Sequence, residues 1–256
     1  MVEGRAAARF SHPFGQPVTQ VVLDSLTDDA VRVGGDDARH LVSSLRLGAG
    51  DTFIATDGRG TVARLEATAV DRRGIDARVL ERAQVPASAL RLLLVAEAEG
   101  ARGDWIVEKA VELGAFGFCP AGEVRDSRVA RWRRLARAAL KQSLSTHELR
   151  IEAERPARAL AGDLAGAPNP AFAAWIAHPE GADPLLQTIP AQGDLFLVCG
   201  PPGGFATSEL AAWEALEGAR RIGLGPLRLR AETAALALLA VASLRANSHP
   251  PGRETA

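Results

Sequence analysis

Short stretches of alternating hydrophobic and polar residues fill the first third of the chain. Segments 18–23 and 31–33 are brief and rich in valine, 51–56 runs into Asp57-Gly58, and 61–70 and 75–79 flank a polar turn at 71–74. Asp-Gly between two such runs is a hairpin signal, because both positions tolerate positive φ. Between the early strands, 36–45 carries its apolar residues at helical spacing. The pattern predicts a small barrel-like module of short strands with one helix.

The texture changes after 84–89, a linker marked by Pro86 and Ser88. Residues 90–96 are a continuous apolar run, as expected of a parallel strand buried on both faces. A helical pattern over 104–113 ends at Gly114, a natural C′ glycine. Further strands are predicted over 116–120, 171–177, 195–199 and 221–224, with helices over 129–143, 208–216 and 231–245. Strands alternating with helices predict an α/β domain with a parallel sheet.

Composition narrows the functional classes. Lysine and arginine number 30 against 31 aspartates and glutamates, so any surface for nucleic acid must be local. Two cysteines, Cys119 and Cys199, stand far apart and read as reduced buried thiols. The five histidines do not cluster, so no metal site is expected. The first residues carry no apolar signal core, and the most apolar run, 234–242, falls short of the ~20 residues a membrane helix needs. These features predict a soluble cytoplasmic protein with no membrane partner.

Two glycine-rich segments carry the first candidate chemistry. In LFLVCGPPGGF (195–205) a buried strand opens into Gly200-Pro201-Pro202-Gly203-Gly204. Glycines let a ligand approach the backbone and present N–H donors, and ligands of open α/β sheets favour the carboxyl ends of strands. The GxxxxGK[ST] pattern of a triphosphate loop is absent. In IGLGPLRLRAETAA (222–235) a short strand again meets glycine and proline, then Arg228, Arg230 and Glu232 ahead of an Ala/Leu-rich helix. An ordinary strand-to-helix turn has a similar composition, and Glu232 also suits the dipole of a helix's first turn. Two such loops about 25 residues apart are more specific than either alone, and together could wrap an adenosine-like ligand.

Local positive charge is concentrated in RDSRVARWRRLARAALK (125–141), with six arginines and one lysine against one aspartate. Trp132, Leu135, Ala136, Ala139 and Leu140 form an apolar stripe at helical spacing, leaving a cationic side. A solvated face and an RNA-phosphate footprint both fit; against a near-neutral chain the density favours RNA, with Arg125, Arg128, Arg131 and Arg134 as contacts. Arg46 and Arg59 are further candidate RNA contacts in the first module.

The ordered segments HLVSSLRLGAGDTFIATDGRG (40–60), EKAVELGAFGFCP (108–120), RWRRLARAALKQS (131–143), CGPPGGF (199–205) and LGPLRLRAETAALALLAVAS (224–243) resemble the RsmE family, the 16S ribosomal RNA uridine-N3 methyltransferases. Arg9-Phe10 echoes an Arg-Phe near the start of family members. The resemblance implies a PUA-like β-barrel over 1–83 and a SPOUT methyltransferase domain with a C-terminal trefoil knot over 90–256. It also implies a homodimer, S-adenosylmethionine as cofactor, and 16S rRNA of the small ribosomal subunit as partner. By position, the cofactor residues would be Leu197, Gly200, Pro201, Gly203 and Gly204 in the first loop, and Leu224, Gly225, Leu229, Arg230, Thr233 and Ala234 in the second.

The chain departs from the family pattern at Pro202, where an acidic residue is usual, at Lys141-Gln142-Ser143-Leu144-Ser145, where an EQSGR-like segment loses its acid and its arginine, and at Ala231, which replaces threonine. Backbone-mediated cofactor binding tolerates all three. For chemistry, uridine N3 must lose its proton. Arg230 is the candidate to stabilise the resulting anion, with Glu232 orienting it or accepting the proton. Two other readings remain open: a SPOUT methyltransferase acting on a different RNA nucleotide, and a non-catalytic RNA- or ribosome-binding homologue.

Overall fold

The computed structural model describes residues 13–14, 19–153, 160–162 and 172–248; Arg9-Phe10 lies outside them. The chain divides into two compact units, one of residues 1–87 with 140–147, the other of 88–139 with 148–256.

In the first unit, strands β1 (Gln20–Val22), β2 (Ala30–Val33), β3 (Thr52–Thr56), β4 (Thr61–Asp71) and β5 (Gly74–Gln84) form one sheet in the order β1-β3-β4-β5-β2. Pairing is antiparallel except between β1 and β3. The β3–β4 hairpin turns on Asp57, whose carboxylate accepts the N–H of Arg59 (2.8 Å) and of Thr61 (3.0 Å), with Gly58 and Gly60 at φ +69° and +97°. Helix α1 (Gly35–Ser43) adds Leu41 to a core of Val33, Ala55, Leu65 and Ile75. Segment 140–147 completes this unit. Its Ser145 carbonyl accepts the Gln20 side-chain amide (2.8 Å), its Thr146 carbonyl accepts the Gly60 N–H (2.9 Å), and Lys141 pairs with Asp37 (2.6 Å).

In the second unit, β6 (Leu90–Ala96), β7 (Gly117–Pro120), β8 (Arg150–Ile151), β9 (Phe172–Ala182), β10 (Gly193–Val198) and β11 (Arg220–Ile222) form a wholly parallel sheet, ordered β11-β9-β10-β6-β7-β8. The uninterrupted apolar runs follow from this placement: β6 and β10 are central and covered on both faces. Helices α2 (Gly100–Glu112), α3 (Asp126–Ser143), α4 (Thr207–Glu214) and α5 (Ala231–Ser248) supply the cover. Trp132 of α3 is fully buried with its ring edge-on to Phe118 of β7 at 5.5 Å, so the apolar stripe predicted for this helix does pack inward. Trp213 of α4 packs on Phe196 of β10 at 5.9 Å.

Several elements differ from the sequence expectation: β5 runs on to Gln84 rather than ending at 79, and β8 was not predicted. Helix α2 begins at Gly100 rather than 104, and Gly103 inside it is tightly enclosed: a Cβ there would lie 2.8 Å from the Ala98 carbonyl oxygen and 3.0 Å from the Trp132 ring. Strand β9 continues through His178-Pro179-Glu180-Gly181 to Ala182, beyond the expected end at 177. The extension survives because β11 follows it irregularly, with Arg221 opposite Ile176 but Ile222 opposite Ala182. Gly181 and Gly223 then meet backbone to backbone.

Candidate functional site at the carboxyl edge of the second unit

An all-parallel sheet places every strand's carboxyl end on one edge, and the two glycine loops leave from that edge after β10 and β11. They are physically joined. The Cys199 N–H donates to Val95 O (2.8 Å), continuing the β10–β6 ladder, while the Cys199 thiol donates to Ala231 O (3.4 Å) at the start of α5. Burial, with Glu232 adding to it, pushes this thiol up to about 12, so it is a neutral donor at physiological pH. Burial pushes Cys119 up to about 12 as well.

Within the first loop, Gly200 lies against the Phe205 ring, which a Cβ would meet at 2.9 Å. Gly204 sits at φ +83° and closes a turn onto Pro201 O (2.8 Å). In the second, Gly225 is at φ +101°. A side chain at Gly203, Gly204 or Gly225 would meet no protein atom within 4 Å, so these glycines leave open space. Among the described residues, the N–H groups of Gly203, Leu224, Gly225 and Leu229 make no internal hydrogen bond. Bare N–H groups beside open space suit a ligand held through backbone contacts.

The remaining cofactor candidates occupy different positions. Leu197 is fully buried in β10 between Leu94 and Trp175, so it anchors the loop from beneath. Pro201, Leu224, Leu229 and Ala234 are half-buried, and Arg230 and Thr233 are exposed. The Ala234 N–H donates to Arg230 O (2.8 Å), fixing Arg230 as the residue that opens α5.

Glu232, only 13% exposed, forms its ion pair with Arg102 of α2 (3.5 Å). The expected partner was Arg230, but that side chain makes no ion pair among the described residues. The Arg102 link joins residues 130 positions apart, beyond the reach of local spacing. Sequence reasoning also missed Glu97, which follows β6 on the same edge. Burial and the nearby Glu99 raise its carboxyl above the ordinary range, against a smaller opposing pull from Arg102. The acidic pair at 97 and 99 directly after a buried strand was the available signal.

The arginines of α3 divide into two groups. Arg128 (3.4 Å) and Arg131 (2.8 Å) both pair with Asp104, which also accepts the Trp132 indole N–H at 3.2 Å. They line a cleft with Arg125, Glu99 and Glu123, so its charge is mixed. Arg125 and Arg134 are exposed and make no ion pair among the described residues. In the first unit, Arg46 is exposed at φ +56°, whereas Arg59 donates to Asp24 O (2.5 Å). Among the described residues no three His, Cys, Asp or Glu side chains group as a metal site, and no helix is long and apolar enough to cross a membrane.

Comparison with known proteins fits this architecture. The RNA methyltransferase domain family matches residues 88–243, and the RNA methyltransferase PUA domain family matches 33–80. The ribosomal RNA small subunit methyltransferase E of Mycobacterium bovis is 32% identical over 231 residues, covering 85% of this chain and 88% of that protein. Its namesake from Bacillus subtilis is 26% identical, covering 82% and 88%. The crystal structure of a Neisseria gonorrhoeae ribosomal RNA small subunit methyltransferase E bound to S-adenosyl methionine superposes with a TM-score of 0.75 at 24% identity, over 89% of this chain and 97% of that one. With the RNA methyltransferase domain family matched over 88–243 and a relative of this similarity along most of its length, the chain belongs to the ribosomal RNA small subunit methyltransferase E family.

Proposed function

We propose that this protein methylates N3 of a uridine in 16S rRNA of the small ribosomal subunit, using S-adenosylmethionine. The observation that carries this reading is the pair of glycine loops tied together at the carboxyl edge, with bare N–H groups beside open space. They fit a ligand such as the adenosine part of the cofactor: Leu224, Gly225 and Leu229 offer backbone donors, and Gly203 and Gly204 leave room for close approach. When bound, the cofactor supplies an electrophilic methyl group on a sulfonium. Arg230, exposed and without an ion pair among the described residues, is free to lie against the uracil oxygens and stabilise the N3 anion. Glu232 is held by Arg102 and shapes the field around the cofactor loop. The reading includes a trefoil knot formed by the segments that carry the two loops, a homodimer, and a cytoplasmic location.

The test is methyl transfer to small subunits lacking the modification, with mass spectrometry of the nucleosides. N3-methyluridine in a cofactor-dependent reaction is the expected product. Cofactor binding without methylation would instead establish a non-catalytic homologue, and a different methylated nucleoside would redirect the target. Arg230→Ala should lower kcat by about 100-fold, the usual cost of removing one anion-stabilising donor; full activity would remove Arg230 from this role.

RNA affinity should separate the α3 arginines. Arg125→Ala and Arg134→Ala each should lower the salt slope of binding by about 0.7–0.9 without altering Tm, as for loss of one phosphate contact. An unchanged slope would exclude them from the RNA footprint.

A further inference from the structure

Methylating a uridine N3 releases a proton, and the edge that carries the glycine loops must provide an acceptor for it. Three nearby groups are poorly suited. Glu232 is committed to Arg102. The Cys199 thiol already holds its proton. His178, inside β9, uses Nδ1 to accept the Glu180 N–H at 3.1 Å.

Glu97 differs from all three. It is the first residue beyond β6, and Val198 of β10 lies opposite Val95. The Cys199 N–H bond to Val95 O extends this register by one residue, so Glu97 and Gly200 are the next residues where the two neighbouring strands leave the sheet. The Glu97 side chain is half-buried and makes no hydrogen bond or ion pair among the described residues. Arg102 links it electrostatically to the start of α5, since that guanidinium acts on Glu97 while pairing with Glu232.

We propose that Glu97 is the catalytic residue that accepts the N3 proton, an assignment that rests on the uridine-N3 reading above. In the step, the N3–H bond breaks and its proton passes to a Glu97 carboxylate oxygen. The electron pair left on N3 forms the new N–CH3 bond. The S–CH3 bond breaks with its pair retained by sulfur, cancelling the sulfonium charge, and Glu97 leaves as a neutral carboxylic acid. Burial and Glu99 raise Glu97 and so strengthen it as a base, while Arg102 opposes that rise.

Single-turnover methyl transfer across pH tests this, using intact wild-type protein, Glu97→Gln and Glu97→Asp. Wild type should lose rate as pH falls through the Glu97 pKa. Glu97→Gln should be slower by about 100-fold, within the usual range for a lost general base, and should lack that acid limb. Glu97→Asp should retain the limb at an intermediate rate. A readout independent of turnover is carboxyl 13C NMR of the protein without cofactor. One glutamate should titrate above the ordinary range in wild type and disappear in Glu97→Gln, while calorimetry shows cofactor binding retained. If wild type methylates uridine and Glu97→Gln is equally fast with the same acid limb, the Glu97 assignment falls alone. If wild type makes no N3-methyluridine, the functional reading falls and takes the assignment with it.

Discussion

Replacing Gly181 with alanine should be the most damaging single-methyl change in the second unit. Its Cβ would lie 2.2 Å from the Ile222 carbonyl carbon and 2.4 Å from the Gly223 nitrogen, and both are backbone atoms that no side-chain rotation can move. The opposing Gly223 is equally confined, with a Cβ there 2.6 Å from the Gly181 carbonyl oxygen. The added methyl must therefore push β11 from β9 and disturb the Gly223–Ala182 hydrogen bond (2.9 Å) from which the second glycine loop departs. Overpacking costs about 1–3 kcal/mol where side chains can yield, and a clash with backbone should reach about 3 kcal/mol or more. For a protein of this size that is roughly a 6–12 °C fall in Tm. Cofactor affinity should fall with it. Gly203→Ala is the matched control for Tm alone, since its Cβ would meet no protein atom within 4 Å but would stand in the proposed cofactor loop. A Gly181→Ala protein with wild-type Tm and cofactor affinity would show that this crossing is not rigid.

Asp104→Asn should come second. This carboxylate, 17% exposed, holds Arg128 and Arg131 and accepts the indole N–H of the fully buried Trp132. Asparagine removes the charge and turns an amide N–H2 toward donors that need acceptors. Arg131 is largely solvated, so its loss counts for little. The indole and Arg128 contacts dominate, and the change should cost about 2 kcal/mol. Chemical denaturation should show a lower midpoint with unchanged m. An unchanged midpoint would mean that the Asp104 network is solvated. The same substitution releases two guanidiniums, so RNA affinity at low salt should rise even as stability falls.

These cases also mark how far the sequence could be read. The apolar runs at 90–96 and 195–199 disclosed buried parallel strands because burial on both faces suppresses polar residues. The glycine loops were legible because they require residue types that little else explains. Strand β9 was legible only to 177, since its last residues persist through the Gly181–Gly223 approach, which depends on a segment some 40 residues away. Likewise, counting arginines on 125–141 could not separate Arg131 from Arg134, because Asp104 lies outside that segment. Glu232 was visible as a helix-opening acid, but Arg102 became its partner only through the order of the sheet.

The return of residues 140–147 to the first unit governs how that unit can be made. A fragment ending at 87 would leave the Gln20 amide and the Gly60 N–H without their acceptors at Ser145 and Thr146, and Asp37 without Lys141. During synthesis, the N-terminal unit therefore lacks these contacts when its own strands emerge. They must wait through the synthesis of β6, α2, β7 and α3, so the two units mature as interleaved folding events rather than in succession.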